Sequence, residues 1–178
     1  MGLNEEIFLM INKPGNPLLD LTMIFVAKYL IYFVGGYVFY LLLKRDKKAL
    51  IVIVSGLIGI LINQGISLAY YHPRPFAQGL GSQIISHSAD SSFPSDHATA
   101  GLSLAFPFLF YKKSRTKGII LTLLAFLIGF ARIYCGVHYP LDIIGSAIVS
   151  LIATLIAYAS REKIISFEKL VTRKIMKH

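Results

Sequence analysis

Five apolar runs, near 19–43, 49–70, 96–111, 118–134 and 140–160, dominate this chain of 178 residues. A helix needs about 20 residues to cross a bilayer. A membrane barrel would alternate polar and apolar positions over strands of about ten residues, and these runs are continuous. In lipid the backbone must satisfy its own hydrogen bonds, so they are helices. The expectation is an all-α integral membrane bundle of about five transmembrane helices, in a single domain over 1–178. The third run is short and holds Pro107, which predicts a kink or a partly unwound end. With 55% hydrophobic and 15% charged residues, the composition excludes an ordinary soluble domain.

Charge placement predicts the topology. Lys44, Arg45, Lys47 and Lys48 fall between the first two runs, and Lys112, Lys113, Arg115 and Lys117 between the third and fourth. Arg161, Lys163, Lys169, Arg173, Lys174 and Lys177 follow the fifth. These three segments alternate onto one side and hold 14 of the 18 Lys and Arg. The positive-inside rule makes that side cytoplasmic. The net charge of +9 therefore reads as topology, and no nucleic-acid partner is expected. The N-terminus, the loop 71–95 and the turn 135–139 fall on the outer face. The start of the chain, with Glu5 and Glu6 and no basic leader, does not read as a cleavable signal peptide. The lone Cys135 excludes an intrachain disulfide and a cysteine-cluster metal site.

Two terminal segments look amphipathic and suited to the interface. Residues 2–12 place Leu3, Ile7, Met10 and Ile11 on one face. The tail 163–177 places Ile164, Phe167, Val171 and Ile175 on one face. Tyr70, Tyr71, Tyr134 and Tyr139 fit an outer aromatic belt.

The outer segments carry the polar residues of an otherwise greasy chain. Pro94-Ser95-Asp96-His97 opens the third run. Ser95 suits an N-cap, and a helix start favours anions. His138 and Asp142 stand four apart, with Pro140 between them as a first helical residue. At that spacing the carboxylate can fix the imidazole tautomer and leave the other nitrogen to attack. Arg74, between two prolines, and Arg132, at the outer end of the fourth run, match phosphate oxygens through their planar forks. Together these groups form a parts list for phosphoryl transfer through a phosphohistidine. No carboxylate cluster suits Mg²⁺ or Ca²⁺, and no metal or other cofactor is expected.

Pro73-Arg74-Pro75-Phe76, Pro94-Ser95-Asp96-His97 and Arg132-x5-His138-x3-Asp142 resemble the three signatures of the phosphatidic acid phosphatase type 2 superfamily. With the run from His87 to Phe93, the chain is similar to the small bacterial undecaprenyl-diphosphatases associated with bacitracin resistance. The resemblance implies a membrane phosphatase that splits undecaprenyl diphosphate into undecaprenyl phosphate and inorganic phosphate on the outer face. In this implied scheme His138 attacks phosphorus, Asp142 orients it, and His97 protonates the leaving group and then activates water. Arg74, Ser95 and Arg132 bind phosphate oxygens, and the partners are the polyprenyl diphosphate and membrane lipids. Two alternatives stay open: a phosphatase for another lipid, such as phosphatidylglycerophosphate or phosphatidic acid, and a non-catalytic lipid carrier or flippase.

The chain departs from the family pattern in three places. Ala131 stands where the third signature has Ser. Ser67 occupies the place of the first signature's lysine. Asp96 takes a position that is often glycine, where a carboxylate could raise the pKa of His97. Lys28, roughly 10–15 Å below the outer surface at 1.5 Å per residue, is a candidate replacement for the lost lysine. His87 and Asp90 are candidates for binding the distal phosphate.

Overall fold

The computed structural model describes residues 1–175, with side chains to Leu170. Among them there are seven α-helices and no strand. These are α1 (Leu3–Ile11), α2 (Pro17–Leu43), α3 (Lys48–Ala69), α4 (Asp96–Ala105), α5 (Arg115–Tyr134), α6 (Pro140–Ala159) and α7 (Arg161–Ile175). Each long helix starts where its residues direct. Asn16 Oδ1 accepts from the amides of Leu18 and Leu19 with Pro17 at the first helical position, and Pro140 opens α6 in the same way.

Among the described residues four segments are long and apolar enough, by length and composition, to cross a membrane: α2, α3, Lys112–Tyr134 and α6. The third predicted run behaves differently. Its α-helix covers only Asp96–Ala105, and Phe106–Phe110 continues as a 3₁₀-helix. Pro107 explains the break, because it has no N–H for the carbonyl four residues back and its ring crowds that position. The α-helical part of the segment is enclosed. Ala98, Thr99, Gly101, Leu102, Ser103 and Ala105 are all buried, and α4 sits inside the bundle against α3, α5 and α6.

A buried ladder of small polar side chains holds that centre together. On α6, Ser146, Ser150 and Thr154 recur every fourth residue and meet α4 and α3. Ser146 Oγ accepts from Ser95 N at 3.0 Å, Ser150 Oγ donates to the Thr99 carbonyl at 3.0 Å, and Ser55 Oγ meets Thr154 Oγ1 at 3.1 Å. Ser103 Oγ donates to Ser150 Oγ at 3.0 Å, and Thr99 Oγ1 donates to Asn63 Oδ1 at 2.7 Å. Between membrane helices each such bond contributes roughly 0.6 kcal/mol, and small residues allow the close approach they need. Gly59 shows how tight the seam is: a Cβ there would lie 2.2 Å from Ser103 Oγ.

The ends of the bundle differ in chemistry. At one end Lys48 Nζ lies 6.0 Å from the Tyr111 ring centre, Tyr111 packs edge-on to Tyr158 at 5.7 Å, and Arg161 covers Tyr158 at 4.6 Å. The three basic segments therefore gather together. The loop 70–95, α1 and the turn 135–139 close the other end. Asn12, buried, is the clamp there. Its amide donates to Tyr134 O (2.7 Å) and Ser82 O (2.9 Å), and its Oδ1 accepts from Ser82 N (2.6 Å).

Two details of the terminal and aromatic expectations change. In α1 the buried anchor is Phe8, stacked edge-on against Tyr139 at 5.4 Å, whereas Leu3 and Met10 face outward. Tyr70 and Tyr71 are exposed as a belt requires, but Tyr134 and Tyr139 are buried in the core at this end of the bundle. In α7, Ile164 is half-buried and Phe167 exposed; the side chains of Val171 and Ile175 lie outside those described.

Candidate active site

His138 sits in the turn between α5 and α6, 1% exposed. Its Nδ1 lies 2.9 Å from Ser92 O and 3.2 Å from Asp142 Oδ2. Its Nε2 lies 3.1 Å from Arg74 Nη1. A guanidinium can only donate, so Nε2 must carry the lone pair and Nδ1 the proton. Burial, followed by the charges of Arg74 and Arg132, holds the imidazole pKa well below its ordinary 6.5. The contact with Asp142 is thus a hydrogen bond from a neutral ring, not an ion pair. Asp142, 1% exposed, opens α6 and gathers three donors on Oδ2: His138 Nδ1, the Tyr139 amide at 2.8 Å and the Ser92 hydroxyl.

Ser92, in the run 87–93 and outside the three signatures, joins this cluster. It touches His138 through its carbonyl and Asp142 through its hydroxyl, and its amide donates to His72 O at 2.7 Å. Position 92 lies three residues outside the Ser95 cap, and only the folded loop brings it against α6.

Arg74 reaches the same point from the other side, 2% exposed. Its prolines do what the sequence suggests: Arg74 is extended, and Pro75 starts a 3₁₀ turn. The side chain also binds Asp90, with Nε at 2.8 Å and Nη2 at 2.7 Å from Oδ1. Partial burial pushes the Asp90 carboxyl up, but hydrogen bonds from Ser88 and Arg74 outweigh it and hold the pKa below the usual value. The His87 ring centre stands 6.2 Å from that of His138. Burial, together with the nearby arginines, pushes the His87 pKa down.

Arg132 is 3% exposed, and its Nε and Nη2 are buried without a hydrogen-bond partner among the described residues. Unpaired guanidinium nitrogens cost stability unless an anion takes them. Ser95 caps α4 as expected, with Oγ facing Ala98 N at 3.5 Å.

His97 lies at the edge of this cluster. It lines a cleft of about 310 Å³ with Ile31, Ile60, Gln64, Asp96 and Ala100, between α2, α3 and α4. Asp96 turns its Oδ1 to the amides of Asn63 (2.6 Å) and Gln64 (3.2 Å), and no hydrogen bond joins it to His97. Ser67 Oγ donates to Phe93 O at 3.2 Å, so it braces the 92–95 segment. Lys28 is exposed on α2 and hydrogen-bonds to none of the cluster among the described residues. In the same residues no group of three His, Cys, Asp or Glu side chains is placed to hold a metal.

The chain is similar to known proteins. The PAP2 superfamily model matches residues 48–166. Undecaprenyl-diphosphatase BcrC of Bacillus subtilis is 35% identical over 96% of this chain and 91% of its own. The bacitracin transport permease protein BcrC of Bacillus licheniformis is 33% identical over 91% of this chain and 82% of its own. The crystal structure of Aquifex aeolicus LpxE superposes with a TM-score of 0.78 at 30% identity, covering 89% of this chain and 96% of that one. With a family match across the helices that carry the site and relatives at this identity over nearly the whole length, the chain belongs to the PAP2 superfamily.

Proposed function

We propose that this protein is a membrane phosphatase that hydrolyses undecaprenyl diphosphate to undecaprenyl phosphate and inorganic phosphate, as the name of its B. subtilis relative states for that protein. The observation that carries the reading is the Nε2 lone pair of a buried, neutral His138, facing an arginine fork. An imidazole so held is a nucleophile aimed where phosphate oxygens would be bound.

In this scheme Nε2 gives up its hydrogen bond from Arg74 Nη1 and attacks the terminal phosphorus as the bond to the bridging oxygen breaks. His97 gives its proton to the leaving lipid phosphate. Asp142 and Ser92 keep Nδ1–H in place while positive charge develops on the ring. Water then attacks the phosphohistidine, His97 takes its proton, and inorganic phosphate leaves. Arg74, Arg132 and Ser95 hold the equatorial oxygens. The cleft beside His97, with Ile31, Ile60 and Ala100 on its walls, gives the prenyl chain a sideways route from lipid.

The gathered basic segments support an inward-facing end opposite the site, and so favour a reaction at the outer surface. There the reaction would recycle the cell-wall carrier lipid and confer bacitracin resistance, and residues 1–178 would act as one domain. The B. licheniformis relative's name favours a second reading, transport without cleavage. Purified protein is offered undecaprenyl diphosphate, phosphatidylglycerophosphate and phosphatidic acid with EDTA present, beside His138→Ala. Phosphate released from the prenyl diphosphate by wild type alone supports hydrolysis. Release only from glycerolipids sinks the substrate, equal release by the variant sinks the nucleophile, and binding without release favours transport.

A further inference from the structure

Arg74 has five N–H donors, and the protein itself accepts from every one. Nε and Nη2 meet Asp90 Oδ1, and Nη2 also meets Ser91 O at 3.0 Å. Nη1 meets Val137 O at 2.8 Å and His138 Nε2 at 3.1 Å. A phosphate oxygen can bond to this guanidinium only by replacing one of these acceptors.

The acceptors differ in how readily they yield. Val137 O and Ser91 O are backbone groups in fastened turns, and His138 Nε2, which leaves Nη1 when it attacks, frees one donor of the five. Val137 N donates to Arg132 O, and Ser91 Oγ bridges Tyr70 O and Phe93 O. Asp90 is the charged acceptor, and its side chain is 58% exposed against 3% for Arg74. It belongs to a short strap from His87 to Ser91 that passes beside His138. Within it Ser88 Oγ donates to Asp90 Oδ2, and His87 Nδ1 stands 3.9 Å from the carboxylate. Exchanging one anion for another leaves the buried guanidinium paired throughout, so this route carries the smallest desolvation penalty.

We propose that Asp90 is an internal anion of the substrate site: it occupies the fork of Arg74, yields it to an incoming phosphate, and thereby sets the phosphate affinity of the site. The inference rests on the lipid-phosphatase reading of the site. It assigns Asp90 a role opposite to that of a phosphate ligand. A carboxylate in the fork discriminates against weakly charged anions, including the inorganic phosphate that the reaction releases. A lipid diphosphate, with more negative charge, competes better for the same donors.

The test is titration of the full-length protein in detergent with inorganic phosphate at fixed ionic strength. Asp90→Asn should bind phosphate about fivefold more tightly, the factor expected for loss of one partly exposed ion pair. Asp90→Glu, which keeps the charge, should stay near wild type. Unchanged or weaker phosphate binding by Asp90→Asn overturns the proposal, since a residue that merely positions Arg74 would give that result. If Asp90→Asn does not fold, Ser88→Ala loosens the same carboxylate and should also tighten phosphate; no change there counts against it equally. Tighter binding by a protein that hydrolyses no lipid phosphate would remove the hydrolase reading and leave Asp90's role standing. Hydrolysis with unchanged phosphate affinity would do the reverse.

Discussion

Arg74 Nη1 lies 3.1 Å from His138 Nε2, and this contact alone assigns the histidine tautomer, because only a lone pair can accept from a guanidinium. It also makes Arg74 irreplaceable by a point charge. Arg74→Lys keeps the cation but loses the fork that spans His138, Val137 and Asp90. The expected result is a fall of about 10²-fold in kcat/KM, measured as phosphate release at sub-saturating lipid.

Asp142→Asn replaces an oxygen that accepts from Ser92, Tyr139 and His138 with a group that accepts on one side only. Arg74 and Ser92 O still hold the His138 tautomer, but the carboxylate charge that stabilises the ring as positive charge develops is gone, and kcat should drop on the order of 10³-fold while substrate affinity holds. Ser92→Ala removes one of the three donors and leaves the backbone carbonyl on His138 in place. It should reduce kcat by about tenfold, consistent with loss of one hydrogen bond to a charged group. Single-turnover measurements separate both effects from binding.

The pH dependence follows from the depressed pKa of His138. Because the folded ring stays neutral below 6.5, the unfolded chain binds a proton there that the folded chain does not. Stability contributed by this group is complete above 6.5 and is lost as pH falls from there toward the folded pKa. Activity should follow the same group: the acid limb of kcat/KM lies below pH 6.5. An acid limb at or above pH 6.5 would count against a buried, neutral His138 as the nucleophile.

Packing behind the site gives a fourth expectation. A Cβ at Gly145 would lie 2.3 Å from the Phe93 ring, one residue from Ser92 and two from Ser95. Gly145→Ala should therefore cost about 1–3 kcal/mol of stability and lower activity together, seen as a reduced Tm in detergent with weaker turnover. Gly65→Ala, where a Cβ meets nothing within 4 Å, is the matched control and should be close to neutral.

What the sequence determined by itself was whatever depends on local composition and spacing. Apolar runs longer than a bilayer is thick can only be helices, and basic linkers can only be sorted to one end. The i, i+4 spacing of His138 and Asp142 joins them across the first turn of α6, and the prolines beside Arg74 keep it extended. What only the tertiary structure decided were relations between segments far apart in the chain. The run 96–111 has the length of a marginal span, but its small and hydroxyl side chains face α3 and α6 in a shared ladder, so it became a central short helix. Ser92 acquired its place only when the loop folded against α6, 50 residues away. The pairing of Asp90 with Arg74 depends likewise on a strap whose sequence has no periodicity to read. Hydrogen bonds across such distances are set by which helices pack together, and no local pattern encodes that.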